Sequence, residues 1–253
     1  MEENVLTKRF ALIGRNISYS FSRGYFTEKF QKLGLENCEY VNFDLAEISE
    51  LKATLATQVH ELGGMNVTIP YKLAIFDFLD ELDEEAREIG AVNTVQLLEN
   101  GGLKGYNTDV YGFRVSLAPL LPKGAVKALI LGTGGASKAV AYALKQLGVP
   151  YTFVSRSTSE KSLTYDALTP ELIATHTLIV NCTPLGTFPD VEQCPDIPYE
   201  GIGEGHLLYD LIYNPAETAF LKNGRLRGAQ IKNGLEMLEQ QAEKAWEIWN
   251  SNQ

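Results

Sequence analysis

The 253-residue chain is poor in cysteine, histidine and tryptophan, with three, three and two copies, and its 22 basic side chains are outnumbered by 32 acidic ones. Cys38, Cys182 and Cys194 are odd in number and lack the close pairing of zinc or redox motifs, which excludes a disulfide framework and leaves reduced, structurally incidental thiols as the expectation. His60, His176 and His206 are scattered, so surface or structural roles are expected and no metal is. A formal charge of −10 leaves no surplus of cations to neutralise phosphates, which argues against a nucleic-acid partner. No stretch approaches the roughly 18 apolar residues of a membrane span. The opening Met1-Glu2-Glu3-Asn4 lacks the charged-then-apolar order of a secretory signal, so a cytoplasmic location is expected. The glycosylation-like triplets at Asn16, Asn66 and Asn181 are accordingly read as chance.

Hydrophobic residues make up 45% of the chain, enough for a sizeable core in one large domain or two of roughly 100–150 residues. Phe10 to Ile13 reads as a buried strand, Phe26, Phe30 and Leu33 recur at helical spacing, and Glu39 to Asp44 alternates as a second strand. A third apolar segment covers Met65 to Ile69. Pro70 is suited to open a helix carrying Leu73, Phe76 and Leu79, which places Lys72 in its first turn. Val92 to Leu98 and Leu103 to Tyr106 flank Glu99-Asn100-Gly101-Gly102, a hairpin signature. A connecting helix is expected over Tyr111 to Leu121, ending before Pro122.

Beyond Pro122 the pattern becomes a regular strand and helix alternation. Val126 to Leu131, Ala136 to Leu147 and Tyr151 to Val154 form a β-α-β unit of the kind that builds a parallel sheet, with further strands expected at Thr177 to Asn181 and Leu207 to Leu211. The Pro- and Gly-rich segment from Thr183 to Glu204 is expected to be a mobile cover. Leu235 to Trp249 reads as a final amphipathic helix, and Asp210 as a brace at a strand end rather than a catalytic group.

Gly132-Thr133-Gly134-Gly135-Ala136-Ser137 joins a strand to a helix, where backbone amides and a helix N-terminus favour a pyrophosphate. Ser137 replaces the last glycine of the full fingerprint, so the motif points to a nucleotide through its context more than its spelling. Where an NAD site carries a carboxylate about 20 residues after the turn, this chain carries Ser155-Arg156-Ser157. A cation with hydroxyls suits a 2′-phosphate, which favours NADP.

Two further segments read as halves of a proton-transfer site: Gly63-Gly64-Met65-Asn66-Val67-Thr68-Ile69-Pro70-Tyr71-Lys72 and Gly105-Tyr106-Asn107-Thr108-Asp109-Val110-Tyr111-Gly112. An Asp and Lys pair by itself is more often a surface salt bridge than a catalytic pair. Ser20 and Ser22, alternating after the first strand, offer hydroxyls for a carboxylate, although serines populate ordinary caps too.

In order along the chain, Ser20-Phe21-Ser22, Asn66 to Lys72, Ala91-Val92-Asn93-Thr94, Asn107-Thr108-Asp109, the glycine turn, Asn181 to Gly186, Asp210 to Pro215 and Gly234 to Ala242 closely resemble the shikimate dehydrogenases. The resemblance spans nearly the whole chain. It implies NADPH-dependent reduction of 3-dehydroshikimate to shikimate, a step toward aromatic amino acids. It also implies a two-domain α/β fold: a discontinuous substrate domain with a mixed sheet (1–112 and 233–253) and a Rossmann-like parallel-sheet NADP domain (113–232), with the last helix returning to the first. Carried over by motif, Ser20 and Ser22 contact the substrate carboxylate with Tyr213 nearby. Thr68, Asn93, Asp109 and Gln241 bind ring hydroxyls, and Lys72 reaches the reacting oxygen with Asp109 to align it. Gly132, Gly134, Gly135, Ala136, Ser155, Arg156, Ser157, Thr183 and Gly234 belong to the cofactor site.

The chain departs from the family pattern at Tyr19, where histidine is common, and at Arg23, where proline is expected. No clear second arginine follows Arg156, leaving Lys161 as a helper. Two other readings stay open: a quinate/shikimate dehydrogenase using NAD or NADP, and a non-catalytic NADP-binding sensor. Monomer and homodimer are both compatible with the sequence.

Overall fold

A computed structural model describes residues 7–18, 20–58, 62–121, 124–157 and 162–251. His60, Tyr19 and Lys161 lie outside the described residues. By internal contacts the chain separates into two compact units, residues 1–108 with 242–253, and residues 109–241.

In the first unit, β1 (Lys8–Gly14), β2 (Cys38–Asp44), β3 (Leu62–Val67), β4 (Glu81–Leu82), β5 (Thr94–Leu97) and β6 (Leu103–Tyr106) form one sheet. Its order is β2-β1-β3-β5-β6-β4. β1 runs parallel to β2 and β3, whereas β5 is antiparallel to β3 and β6. The expected hairpin is therefore present, with Gly101 in the left-handed region at φ 82. Side chains alternate across the sheet. Ala11, Ile13, Met65 and Val67 enter one core with Leu51, Ile75 and Val95. Phe10 and Leu12 enter another with Phe26 and Phe30 of α1 (Phe21–Leu33). Two short helices, α2 (Leu51–Gln58) and α3 (Glu84–Ile89), complete the connections.

In the second unit, α4 (Asp109–Leu117) precedes a sheet of β7 (Ala128–Leu131), β8 (Tyr151–Ser155), β9 (Ser162–Thr164), β10 (Leu178–Asn181), β11 (Leu207–Asp210) and β12 (Gln230–Lys232). The order is β12-β11-β10-β7-β8-β9 and every pairing is parallel. This is the doubly wound arrangement in which the order reverses beside the first strand, here between β7 and β10. α5 (Gly135–Gln146) follows β7 and buries Ala139, Val140, Ala143 and Leu144; α6 (Pro170–Thr175) and α7 (Ala219–Arg225) serve the later crossovers.

The final helix, α8 (Leu235–Asn250), divides between the units: its last turns belong to the first. There Trp249 is buried, donates from Nε1 to the Val95 carbonyl at 3.0 Å, and packs near Phe10 with ring centroids 5.1 Å apart. A side chain at Gly64 would collide with the Trp249 ring, at 2.2 Å from Cδ1. The ring occupies the space that glycine leaves.

Three expectations need correction. Pro70 opens no α-helix: residues 70–73 form turns and a 3-10 helix covers Ala74–Phe78. The Lys72 carbonyl accepts from the Val92 amide at 2.9 Å, and Tyr71 is buried with its hydroxyl on the Leu45 carbonyl at 2.7 Å. These tertiary bonds hold the segment out of a regular helical ladder. The connecting helix begins at Asp109, two residues before expected. The segment from Thr183 to Glu204 is no free flap, because Ile197 and Ile202 are buried in the core of the parallel sheet. Among the described residues no helix is long and apolar enough to cross a membrane, and no group of His, Cys, Asp and Glu is arranged to hold a metal.

Candidate active site

Every site residue predicted in the first unit lies beyond one edge of the mixed sheet. Ser20 and Ser22 follow β1, Thr68 and Lys72 follow β3, and Asn93 immediately precedes antiparallel β5. Ser20 is the N-cap of α1, its hydroxyl oxygen accepting from the Ser22 amide at 3.2 Å. That bond uses one acceptor lone pair and leaves the hydroxyl proton available. Thr68 is placed by its amide bond to the Ile13 carbonyl at 2.8 Å, and its methyl group approaches where Gly14 has no side chain; a Cβ there would lie 2.6 Å from it. Lys72 is half-buried.

Beneath these residues runs a buried polar network that joins Asn93 to Tyr40, Asn66, Thr94 and Thr108, to which the resemblance gives no role. The Tyr40 hydroxyl donates to Asn66 Oδ1 at 2.8 Å, and Asn66 Nδ2 donates to Thr94 Oγ1 at 3.2 Å. Asn93 Oδ1 accepts from the Thr108 amide at 2.7 Å, while its Nδ2 donates to Thr108 Oγ1 at 3.0 Å. The orientation of the Asn93 amide is thereby fixed. Burial raises the Tyr40 phenol well above its ordinary value, so it stays a neutral donor. A polar residue between the core residues Met65 and Val67 was the available signal, but its partners are remote in sequence.

In the second unit Asp109 is 7% exposed in the first turn of α4, and Gln241 is 7% exposed on α8. The two helices meet backbone to backbone at Gly112, where a Cβ would lie 2.4 Å from the Met237 carbonyl oxygen.

The remaining predicted residues follow the carboxyl ends of the parallel strands: the glycine turn after β7, Ser155-Arg156-Ser157 at the end of β8, Thr183 after β10, Tyr213 after β11 and Gly234 after β12. Open parallel sheets bind ligands at this edge, where the strand order reverses. Gly132 has φ 100, a conformation that favours glycine, and a Cβ there would meet Thr183 Cγ2 at 3.2 Å. Gly134 caps α5 without a side chain, which leaves the first amides of the helix facing the turn. Ser137, in place of a third glycine, is buried and donates to the Gly134 carbonyl at 2.7 Å, so it closes the turn. Ala136 lies beside it in the first helical turn. This cradle fits a dinucleotide pyrophosphate. The exposed Arg156 stands at the neighbouring strand end, which the Gly132 amide ties to the turn by its 2.8 Å bond to the Val154 carbonyl. Among the described residues at the end of β8, Ser155, Arg156 and Ser157, there is no carboxylate, so a phosphate placed there would meet a cation rather than repulsion. Gly234 admits no side chain, since a Cβ would sit 2.1 Å from the Leu211 carbonyl oxygen.

Asp210, at the end of β11, is fully buried. Its carboxylate accepts from Asn181 Nδ2 at 3.1 Å, the Ile212 amide at 3.0 Å and Thr218 Oγ1 at 2.6 Å. Burial pushes it up to about 6, although those three bonds pull the other way. His176 and His206 bond to main-chain carbonyls of Leu172 and Ile173 respectively, in structural roles. The three cysteines are free thiols, with Cys182 raised well above its ordinary value by burial.

Comparison with known proteins agrees with this architecture. Residues 12–95 match the model of the shikimate dehydrogenase substrate binding domain. A protein of Caldanaerobacter subterraneus subsp. tengcongensis named shikimate dehydrogenase (NADP(+)) is 38% identical over 98% of this chain and 94% of its own length. The shikimate 5-dehydrogenase of Thermus thermophilus, solved with NADP(H) and shikimate, is 33% identical with a TM-score of 0.84, covering 96% of this chain and 94% of that one. A quinate dehydrogenase of Corynebacterium glutamicum, solved with NAD, is 28% identical with a TM-score of 0.85, covering 97% and 94%. With likeness running through both sheets and nearly end to end, the chain belongs to the shikimate dehydrogenase family.

Proposed function

We propose that this chain is an NADP-dependent shikimate dehydrogenase, reducing 3-dehydroshikimate to shikimate reversibly in the cytoplasm. The observation that carries the reading is the division of labour between the two strand-end edges. One edge gathers hydroxyls, an amide and a lysine; the other has a glycine cradle beside an arginine.

NADPH, when bound, supplies the hydride for the ketone. Gly132, Gly134, Gly135 and Ala136 would hold its pyrophosphate, Ser155, Arg156 and Ser157 its 2′-phosphate, and Thr183 and Gly234 would line the same edge. The Lys72 ammonium donates a proton to the oxygen as it gains negative charge, and in the oxidation direction the neutral Lys72 amine takes the proton from the alcohol. Asp109 accepts a hydrogen bond from a ring hydroxyl, and Thr68, Asn93 and Gln241 bond to the ring hydroxyls as well. The Ser20 and Ser22 hydroxyls, at the positive end of α1, bind the carboxylate, with Tyr213 completing that end.

The test is NADP+ reduction by the purified chain with shikimate, crossed with quinate and with NAD+. The highest kcat/KM is expected for shikimate with NADP+. A higher value for quinate with NAD+ favours the quinate/shikimate reading, and tight binding of both ligands without turnover favours a sensor.

A further inference from the structure

Asp210 is a fully buried carboxylate in the parallel-sheet unit, and its three hydrogen-bond partners converge on it from separate segments. One partner, Asn181, ends β10; another, Ile212, leads to Tyr213; the third, Thr218, caps α7. The consequence for Asn181 is a matter of polarity. An amide side chain has one oxygen and one NH2 group. The carboxylate takes the NH2, so Oδ1 turns to Thr183 and accepts both its amide, at 3.0 Å, and its hydroxyl, at 2.7 Å.

Thr183 is fixed in turn. Its hydroxyl proton is committed to Asn181, and its methyl group packs toward Gly132 at the point where the strand order reverses. On the other side of Asp210, the Ile212 carbonyl accepts from the Gly234 amide at 3.0 Å. One carboxylate thus anchors the segments bearing Thr183 and Gly234. A hydrogen-bonded chain of this length needs an acceptor-only group at its root. An amide or a hydroxyl there admits two orientations, and a carboxylate admits one.

We propose that Asp210 is a positioning residue for the cofactor: through Asn181 it fixes the orientation of Thr183 against the glycine turn. This rests on the reading of Thr183 as a cofactor contact. The residue touches neither substrate nor coenzyme and works only through its neighbours.

The test is a double-mutant cycle of Asp210→Asn and Thr183→Val, reading KM for NADP+ and for shikimate separately. Each single variant is expected to raise the NADP+ KM roughly tenfold, Asp210→Asn leaving the shikimate KM within about twofold, and the double variant is expected to be no worse than about the weaker single. A loss of packing alone would move both constants and add in the double variant, to roughly a hundredfold. That additive result overturns the inference, as does an unchanged NADP+ KM in Asp210→Asn beside a raised one in Thr183→Val. An unchanged NADP+ KM in Thr183→Val removes Thr183 from the cofactor site and overturns the reading and the inference together. Should Asp210→Asn not fold, Asn181→Ala cuts the same chain one bond further on, and the same outcomes apply.

Discussion

The mixed sheet and the parallel sheet each present the residues proposed to bind ligands beyond a single edge, but they hold those residues differently. Under the mixed sheet the brace is neutral: amides and hydroxyls of Asn66, Asn93, Thr94, Thr108 and Tyr40 bond to one another within the core. Under the parallel sheet it is a charge, the carboxylate of Asp210. A neutral network can hold polar groups in place without ionising, and keeps its geometry across pH. A buried carboxylate fixes direction more firmly but makes the fold depend on its protonation. The half assigned to a polyhydroxylated acid is braced by the first device, and the half assigned to the coenzyme by the second.

The largest effect expected is chemical. On the proposed reading, in which Asp109 accepts a hydrogen bond from a ring hydroxyl, Asp109→Asn should cost about 10³-fold in kcat/KM, about 4 kcal/mol, with the fold retained on circular dichroism. Equal catalytic efficiency would take Asp109 out of the site. Next is the anchoring of the last helix to the mixed sheet. Trp249→Ala should lose about 3–4 kcal/mol in urea unfolding, from the cavity and the lost bond to Val95; a loss below about 1 kcal/mol would mean the returning helix adds little to the first unit.

The two braces should separate on titration. Folded Asp210 holds its proton up to about pH 6, against about 3.8 for its ordinary value. Ionisation therefore opposes folding: the contribution is fully present below about 3.8 and is lost as pH rises through about 6, on the order of 3 kcal/mol. The stability of wild type minus that of Asp210→Asn, from thermal unfolding, should therefore increase as pH falls from 7 toward 4, and a flat difference would show that Asp210 does not titrate there. The smallest effect is at the neighbouring strand end. Arg156→Ala should weaken NADPH binding about tenfold and leave NADH unchanged, a single exposed phosphate contact being worth about 1.4 kcal/mol; equal ratios would sever Arg156 from the 2′-phosphate.

Much of this architecture could be read from residue order alone. Phe10 to Ile13 and Tyr151 to Val154 are strands, and the run expected from Val126 forms one over Ala128–Leu131, because their apolar runs are bounded by turn residues; the hairpin over Thr94–Tyr106 follows from its glycines. The short edge strands β4, β9 and β12 escaped, since two or three residues carry no periodicity. Lys72 was expected in a helix because Pro70 and the spacing of Leu73 and Phe76 are local signals, and the Val92 amide that claims its carbonyl is not. Asn66 stood within a motif already singled out, yet its meaning depends on Tyr40, 26 positions earlier. Buried polar partners are fixed by tertiary contact, so a single sequence names the members without pairing them.

The most direct measurement is the turnover of Lys72→Ala with shikimate and NADP+, set beside an independent titration of shikimate binding. A fall in kcat of about 10²–10⁴-fold with shikimate still bound is the expected result for loss of the group that handles the proton. Normal turnover by the folded variant would contradict it.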